Sequence, residues 1–243
     1  MFSIYKKELQ SYFYTPFAYV IAAAFMLIFT FVFNVAIAKI DSSTYQFSFA
    51  SNFYSIIFYF VFLIPVLTMR SYADERKFGT EVLLMTSPIN VFKIVMGKFL
   101  ATATVFLFMI AGSALFPIVT ALNGQVVVSQ LICAYIGFFL WGCMCIAIGM
   151  LISSFTENSI IAAILGEIAM LAVMFIDDLS GTDFIAQFPA VQSVLYSFSA
   201  QPKFAYFSQG LMRLSDIVFF ISAIAVVIAW TVISIEKRRW KRG

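Results

Sequence analysis

The sequence predicts an all-α membrane protein with six spanning helices, and three observations carry that expectation. First, 63% of the 243 residues are hydrophobic and only 11% are charged, against about 25% charged in an ordinary soluble domain. A soluble fold of this size leaves much of its surface to water, and this chain lacks the polar residues to cover it. Second, the apolar residues, 30 Phe among them, gather into six long runs. A spanning helix needs about 20 mostly apolar residues, because its backbone polar groups must be satisfied within the segment. Third, Lys and Arg fall almost entirely on alternate connections between those runs.

The first run is Pro16–Ala38. Lys6 and Lys7 precede it and Ala36-Ile37-Ala38 closes it, but a secretory h-region runs only about 7–15 residues, so it reads as a span. Ahead of it, Phe2, Tyr5, Leu9 and Tyr12 share one helical face, while Ser3, Lys6, Lys7 and Gln10 take the other. That pattern suits an interfacial helix on the inner leaflet. The second and third runs, 49–69 and 98–122, contain Pro65 and Pro117, which are expected to kink them. In the fourth run, 129–153, Gly142, Cys145, Gly149 and Ser153 make a smooth stripe for close helix approach. The fifth, Ser159–Ile176, carries Glu167 near its centre. A carboxylate there costs about 2.5–3.5 kcal/mol on insertion scales and should face protein or water. It is a candidate for a translocation path or a dimer interface, or for an interhelical contact with Asn34 or a Thr of the third span. Asn34 alone reads as helix glue. The sixth run, 217–235, ends in the basic tail 236–242.

With the N-terminus in the cytoplasm, Lys6, Lys7, Arg70, Arg76, Lys77, Lys93, Lys98, Lys237, Arg238, Arg239, Lys241 and Arg242 all lie on that side. The other side receives only Lys39, Lys203 and Arg213. The positive-inside rule therefore puts both termini in the cytoplasm. No internal repeat is visible, and the chain reads as a single domain, 1–243. The external segment 177–216, ahead of the last span, is long enough for one or two short helices on the outer mouth of the bundle. Glu157-Asn158 can cap the fifth helix or touch a partner.

Composition also excludes chemistry. The chain has no His, which removes His-based triads and most zinc and haem sites. Cys133, Cys143 and Cys145 are odd in number and lie in an apolar run, so they read as small hydrophobes rather than disulfides. A net charge of +3 gives no footing for nucleic acid. An intramembrane aspartyl enzyme would need two facing acids, whereas Asp177 and Asp178 are neighbours at a span's end. An ATP-independent channel or secondary transporter would more commonly show inverted repeats or several intramembrane charges.

Six charged residues, Arg70, Asp74, Glu75, Arg76, Lys77 and Glu81, sit in 70–90. On a helix, Phe78, Val82 and Met85 share a face, Asp74, Lys77 and Glu81 another. Arg70 can pair with Asp74, and Lys77 with Glu81, at i, i+4. Pro88 then stops the helix. The segment is either a solvated loop or a short amphipathic helix that docks on a soluble partner.

The string 70–98, with Glu75-Arg76, Gly79-Thr80-Glu81, Leu83-Leu84, Ser87-Pro88 and Gly97-Lys98, resembles the ABC-2 type permease signature. Chain length, span order and the long external loop resemble that family too. The closing stretch Tyr206-Phe207-Ser208, Gly210 and Leu214-Ser215-Asp216-Ile217-Val218 looks most like the gliding-motility-associated permeases. The resemblance implies a coupling helix that sits in a groove of a separate ABC ATPase subunit. Arg70, Asp74, Glu75, Arg76, Lys77, Phe78, Gly79, Thr80 and Glu81 would form it. It also implies an N-terminal elbow helix, pairing with a second permease chain (homo- or heterodimer), and a bacterial inner-membrane location. Export is the implied direction, with no cargo named, and an extracytoplasmic auxiliary protein is a further candidate partner. ATP and Mg would bind the partner. The one Gly-Lys, Gly97-Lys98, has Phe92 where a phosphate loop needs its first Gly and Phe99 where it needs a hydroxyl.

Overall fold

A computed structural model describes residues 1–38, 49–82, 89–123, 127–180 and 188–242. The described residues form helices and connections, with no strand among them. In chain order the helices are α1 (Phe2–Tyr14), α2 (Pro16–Ala38), α3 (Phe49–Thr68), α4 (Arg70–Lys77), α5 (Val91–Ser113), α6 (Leu115–Asn123), α7 (Val128–Phe155), α8 (Ser159–Ser180), α9 (Pro189–Phe198), α10 (Gln201–Ser208) and α11 (Leu214–Arg242). Six stretches are long and apolar enough to cross a membrane, as expected: Pro16–Ala38, Asn52–Lys77, Val91–Leu122, Val128–Phe155, Ser159–Ile176 and Leu214–Arg239.

The centre of the bundle is α3 against α7. In each, 56% of the apolar window is buried, against 28% in α2, 22% in α8 and 17% in α11. The latter three therefore present most of their surface outward. Lipid tails are as apolar as the helices, so packing rather than burial from water holds such a bundle together. The packing is aromatic. Phe60 meets Phe25 and Phe138 edge-on with ring centroids 4.8 Å apart in both pairs, and Phe53 lies 5.2 Å from Phe138. Such pairs contribute about 0.5–1.5 kcal/mol each beyond their buried area.

Small residues set the close approaches. A Cβ on Gly142 would enter the Phe106 ring, and one on Gly149 would overlap Thr68. The stripe on the fourth run is thus the seat of α3 and α5. Pro117 breaks the third span where expected. Its ring cannot accept the carbonyl four residues back, and α5 ends at that residue, Ser113, with α6 resuming at Leu115.

Two boundaries differ from the sequence reading. The third span begins at Val91 rather than at 98, because Asn90 Oδ1 accepts the Phe92 N–H at 2.9 Å and caps the helix. The charged hairpin is interrupted at 78–80, with helix again at Glu81 and Val82. The i, i+4 pair of Arg70 and Asp74 forms, at 3.8 Å, but α4 ends at Lys77. Gly79 takes φ +71, a left-handed conformation that glycine adopts without cost. Its N–H donates to Arg76 O, and the Thr80 hydroxyl to Glu75 O, which closes the helix in the manner of a glycine C-cap. Lys77 and Glu81 therefore do not share a helix, and the expected pairing between them is replaced. Met85 and Pro88 lie outside the described residues.

The segment before the last span forms two short helices, α9 and α10. At their junction Ser199 and Ala200 are fully buried. Phe204 and Phe207 of α10 are buried against Trp141 and Phe220, and Phe207 lies over Gly137. Trp141 falls at the middle of α7, so this hairpin enters the bundle rather than resting on its mouth. Gly210 (φ +80) ends α10, with the Gly210 N–H donating to Phe207 O and the Leu211 N–H to Tyr206 O, a Schellman closure.

Candidate functional site

The charge concentrates at the end of the bundle where α1, α4, the start of α5, the end of α7 and the end of α11 meet. Helix α4 continues α3 after a break at Met69. Helix ends leave backbone groups without intrahelical partners, and here Ser153 of α7 supplies them. Its hydroxyl accepts the Tyr72 and Ala73 N–H groups, both at 3.2 Å, and donates to Met69 O at 2.9 Å. One buried side chain thus staples the junction between span and charged hairpin.

On one side of α4, Lys98 is 1% exposed. Its ammonium donates to Glu75 Oε1 at 2.8 Å, Ser71 O at 2.8 Å and Glu8 Oε1 at 3.1 Å, spending all three of its protons. Lys7 sits 3.8 Å from Glu8 and 3.9 Å from Glu75. Arg70 lies over the Phe17 ring at 4.2 Å. Gly97 allows this assembly, since a Cβ there would stand 3.1 Å from Ile4 Cγ2. The Gly-Lys pair is therefore a helix seat followed by a buried ion. It has no donors left for a nucleotide phosphate. Tyr12 completes the layer, its hydroxyl 3.2 Å from Leu67 O and 3.3 Å from Thr102 Oγ1. Burial pushes its phenol above the usual 10.0, with Glu8 adding to the rise and the Thr102 hydrogen bond opposing it.

On the other side, Arg76 donates to Glu157 Oε1 at 3.0 Å and to Ser154 O at 3.2 Å. Glu81 takes Arg76 at 3.7 Å and Arg238 of α11 at 3.4 Å. Arg238 also donates to Ser154 O. The hairpin is thereby tied through Glu75 to α1 and α5, and through Arg76 and Glu81 to α7 and α11.

The sequence-predicted residues divide accordingly. Glu75, Arg76 and Glu81 turn inward, Asp74 is intermediate and Arg70 is exposed. Lys77, Phe78, Gly79 and Thr80 face outward, with Phe78 72% exposed. Asn34 is exposed and its amide donates to Thr30 O, within its own helix. Glu167 is half-buried beside Gly166, whose missing Cβ leaves room for Pro65. The structure does not join Glu167 to Asn34 or to a Thr of the third span. Asn158 caps α8 through Ile160 N–H at 2.9 Å, which leaves Glu157 for Arg76. On α1 the packed residues are Ile4, Tyr5, Glu8, Leu9 and Tyr12, with Phe2 outward. The side chains of Asp177, Asp178 and Asp183 lie outside the described residues.

Sequence reasoning missed Glu8 and the roles of Lys98 and Arg238. A signal was present: Glu8 is the one acid in α1, and a cation inside an apolar run demands a partner. Among the described residues no cluster of His, Cys, Asp or Glu could hold a metal ion.

Six helices long and apolar enough to cross a membrane, with a charged junction gathered at one end, define an integral membrane bundle. Residues 31–235 match the family model described as ABC-2 family transporter protein, and the chain belongs to that family. Comparison with curated proteins gives no match.

Proposed function

We propose that this chain is the permease subunit of an ATP-driven exporter, paired with a second permease chain and with a separate ABC ATPase that binds ATP and Mg. The carrying observation is the tip of the charged hairpin. Phe78 is 72% exposed at a glycine turn, directly beyond ion pairs that fasten the hairpin to α1, α5 and α11 and an Arg76 hydrogen bond to α7. An exposed aromatic at such a turn is the kind of anchor that fills a partner's pocket. The ion pairs behind it would carry a push on the tip into several spans at once.

Of the nine residues assigned to coupling, Lys77, Phe78, Gly79 and Thr80 make the contact, whereas Arg70, Asp74, Glu75, Arg76 and Glu81 hold the tip in place. The basic end is cytoplasmic by the positive-inside rule, and the family resemblance implies a bacterial inner membrane. Glu167 and Asn34, on outward-facing spans, are left for the second permease chain or the translocation path. The 206–218 stretch supports the gliding-motility-associated branch, and the α9–α10 hairpin offers a surface to an extracytoplasmic partner.

The chain, tagged and purified from native membranes in mild detergent, should carry an ABC ATPase in equal amount. Phe78→Asp should release it while leaving the unfolding midpoint of the permease unchanged. Retention of the ATPase by Phe78→Asp, or its absence from the wild-type preparation, would refute the reading.

A further inference from the structure

A cavity of about 280 Å³ opens between α1, the start of α2 and α4, lined by Lys7, Glu8, Ser11, Tyr12, Thr15, Phe17, Arg70, Ser71, Asp74, Glu75 and Lys98. Its size corresponds to roughly nine waters at liquid density, the same order as a phosphate bearing a short amine arm. The lining holds three bases, Lys7, Arg70 and Lys98, and three acids, Glu8, Asp74 and Glu75. These groups are not equally committed. Lys98 is saturated, and it pins Glu8 and Glu75.

Among the described residues Lys7 and Arg70 have no acidic partner closer than 3.8 Å, beyond hydrogen-bond reach. Asp74 faces only that distant Arg70. The Ser71 hydroxyl is sealed off beside the Tyr12 phenol. The unspent inventory is therefore two cationic donors and one carboxylate.

That inventory matches a phosphate joined to an ammonium: the phosphate takes Lys7 and Arg70, and the ammonium takes Asp74. A bare anion would meet Asp74 and Glu75 unfavourably in a lining whose charges sum to zero. The cavity also lies where the first span begins. Tyr19 and Val20, on the first turn and a half of α2, are 59% and 65% exposed and offer an apolar track for acyl chains. We propose that the cavity binds the headgroup of a zwitterionic aminophospholipid from the leaflet at the basic end of the bundle. The proposal rests on the membrane topology and not on the ATPase reading.

Native mass spectrometry of the purified full chain tests it, with phosphatidylethanolamine, phosphatidylglycerol and phosphatidylcholine of equal acyl length, and with inorganic phosphate and O-phosphoethanolamine as soluble competitors. Phosphatidylethanolamine should be retained about tenfold over phosphatidylglycerol, and Lys7→Ala with Arg70→Ala should remove that retention, in line with the pull of two cations on a lipid phosphate. Replacing Lys237 and Arg239 by Ala should not. Asp74→Asn should invert the preference toward phosphatidylglycerol, a gain that a misfolded variant would not give. Equal retention of both lipids, insensitivity to the Lys7 and Arg70 changes, or an unchanged preference in Asp74→Asn would each overturn the assignment. Full displacement by either soluble competitor would mean that the site takes a free phosphate compound and would overturn the lipid source.

Discussion

Lys98 is the side chain on which the charged junction turns, because its three protons all land on fixed acceptors from two other helices. Removing one partner of a buried ion cluster leaves the others uncompensated, at about 3–5 kcal/mol. Lys98→Met should therefore lower the unfolding midpoint in detergent severely, and adding Glu8→Gln and Glu75→Gln should restore most of the loss. A single variant as stable as wild type would show that Glu8 and Glu75 are not held by this ammonium. Tyr12 gives a pH test on the same layer. Its phenol is raised above 10.0 by burial, so the unfolded chain ionises first as pH rises. Its contribution is complete below pH 10 and is lost as pH climbs from there through the folded-state value. Tyr12→Phe should flatten the decline in stability above pH 10, measured against wild type. Lys98 and Glu8 were poorly legible in the sequence for one reason: each looks like a surface charge until the fold joins two positions 90 apart in the chain.

The helices were far more legible than their joints. Six apolar runs became six spans, because length and composition alone decide whether a helix can cross a bilayer. The Gly142, Gly149 and Ser153 stripe was visible as spacing, and the structure supplies its occupants, Phe106, Thr68 and the Met69 break. Gly142→Ala should cost about 1–3 kcal/mol by forcing the Phe106 ring aside, read as a lower unfolding midpoint; no change would mean that α5 packs elsewhere on α7. The hairpin helix is interrupted at 78–80, with helix again at Glu81 and Val82, and Pro88 lies outside the described residues. Gly79, following Arg76 and Lys77, carried the earlier stop signal, a C-terminal glycine after a basic last turn. The α9–α10 hairpin was foreseen as short helices, but not its depth beside Trp141. Nothing local in 177–216 distinguishes a helix lying on a bundle from one entering it.

Across the molecule, charge and apolar surface are segregated. Aromatic packing fills the centre, outward spans present their apolar faces, and one end gathers acids and bases around α4. That arrangement fits a transport component moved from one end. Spans can be displaced together only if something rigid joins them, and Glu75, Arg76 and Glu81 do join the hairpin to α1, α5, α7 and α11. The most direct measurement places a photo-crosslinking benzoylphenylalanine at Phe78, with Leu122 as the control. Leu122 is 80% exposed and sits at the opposite end of the bundle. Irradiation of native membranes should join the Phe78 derivative, and not the Leu122 derivative, to an ABC ATPase. A crosslink from Leu122 alone, or none from Phe78 while transport persists, would contradict docking at the hairpin tip.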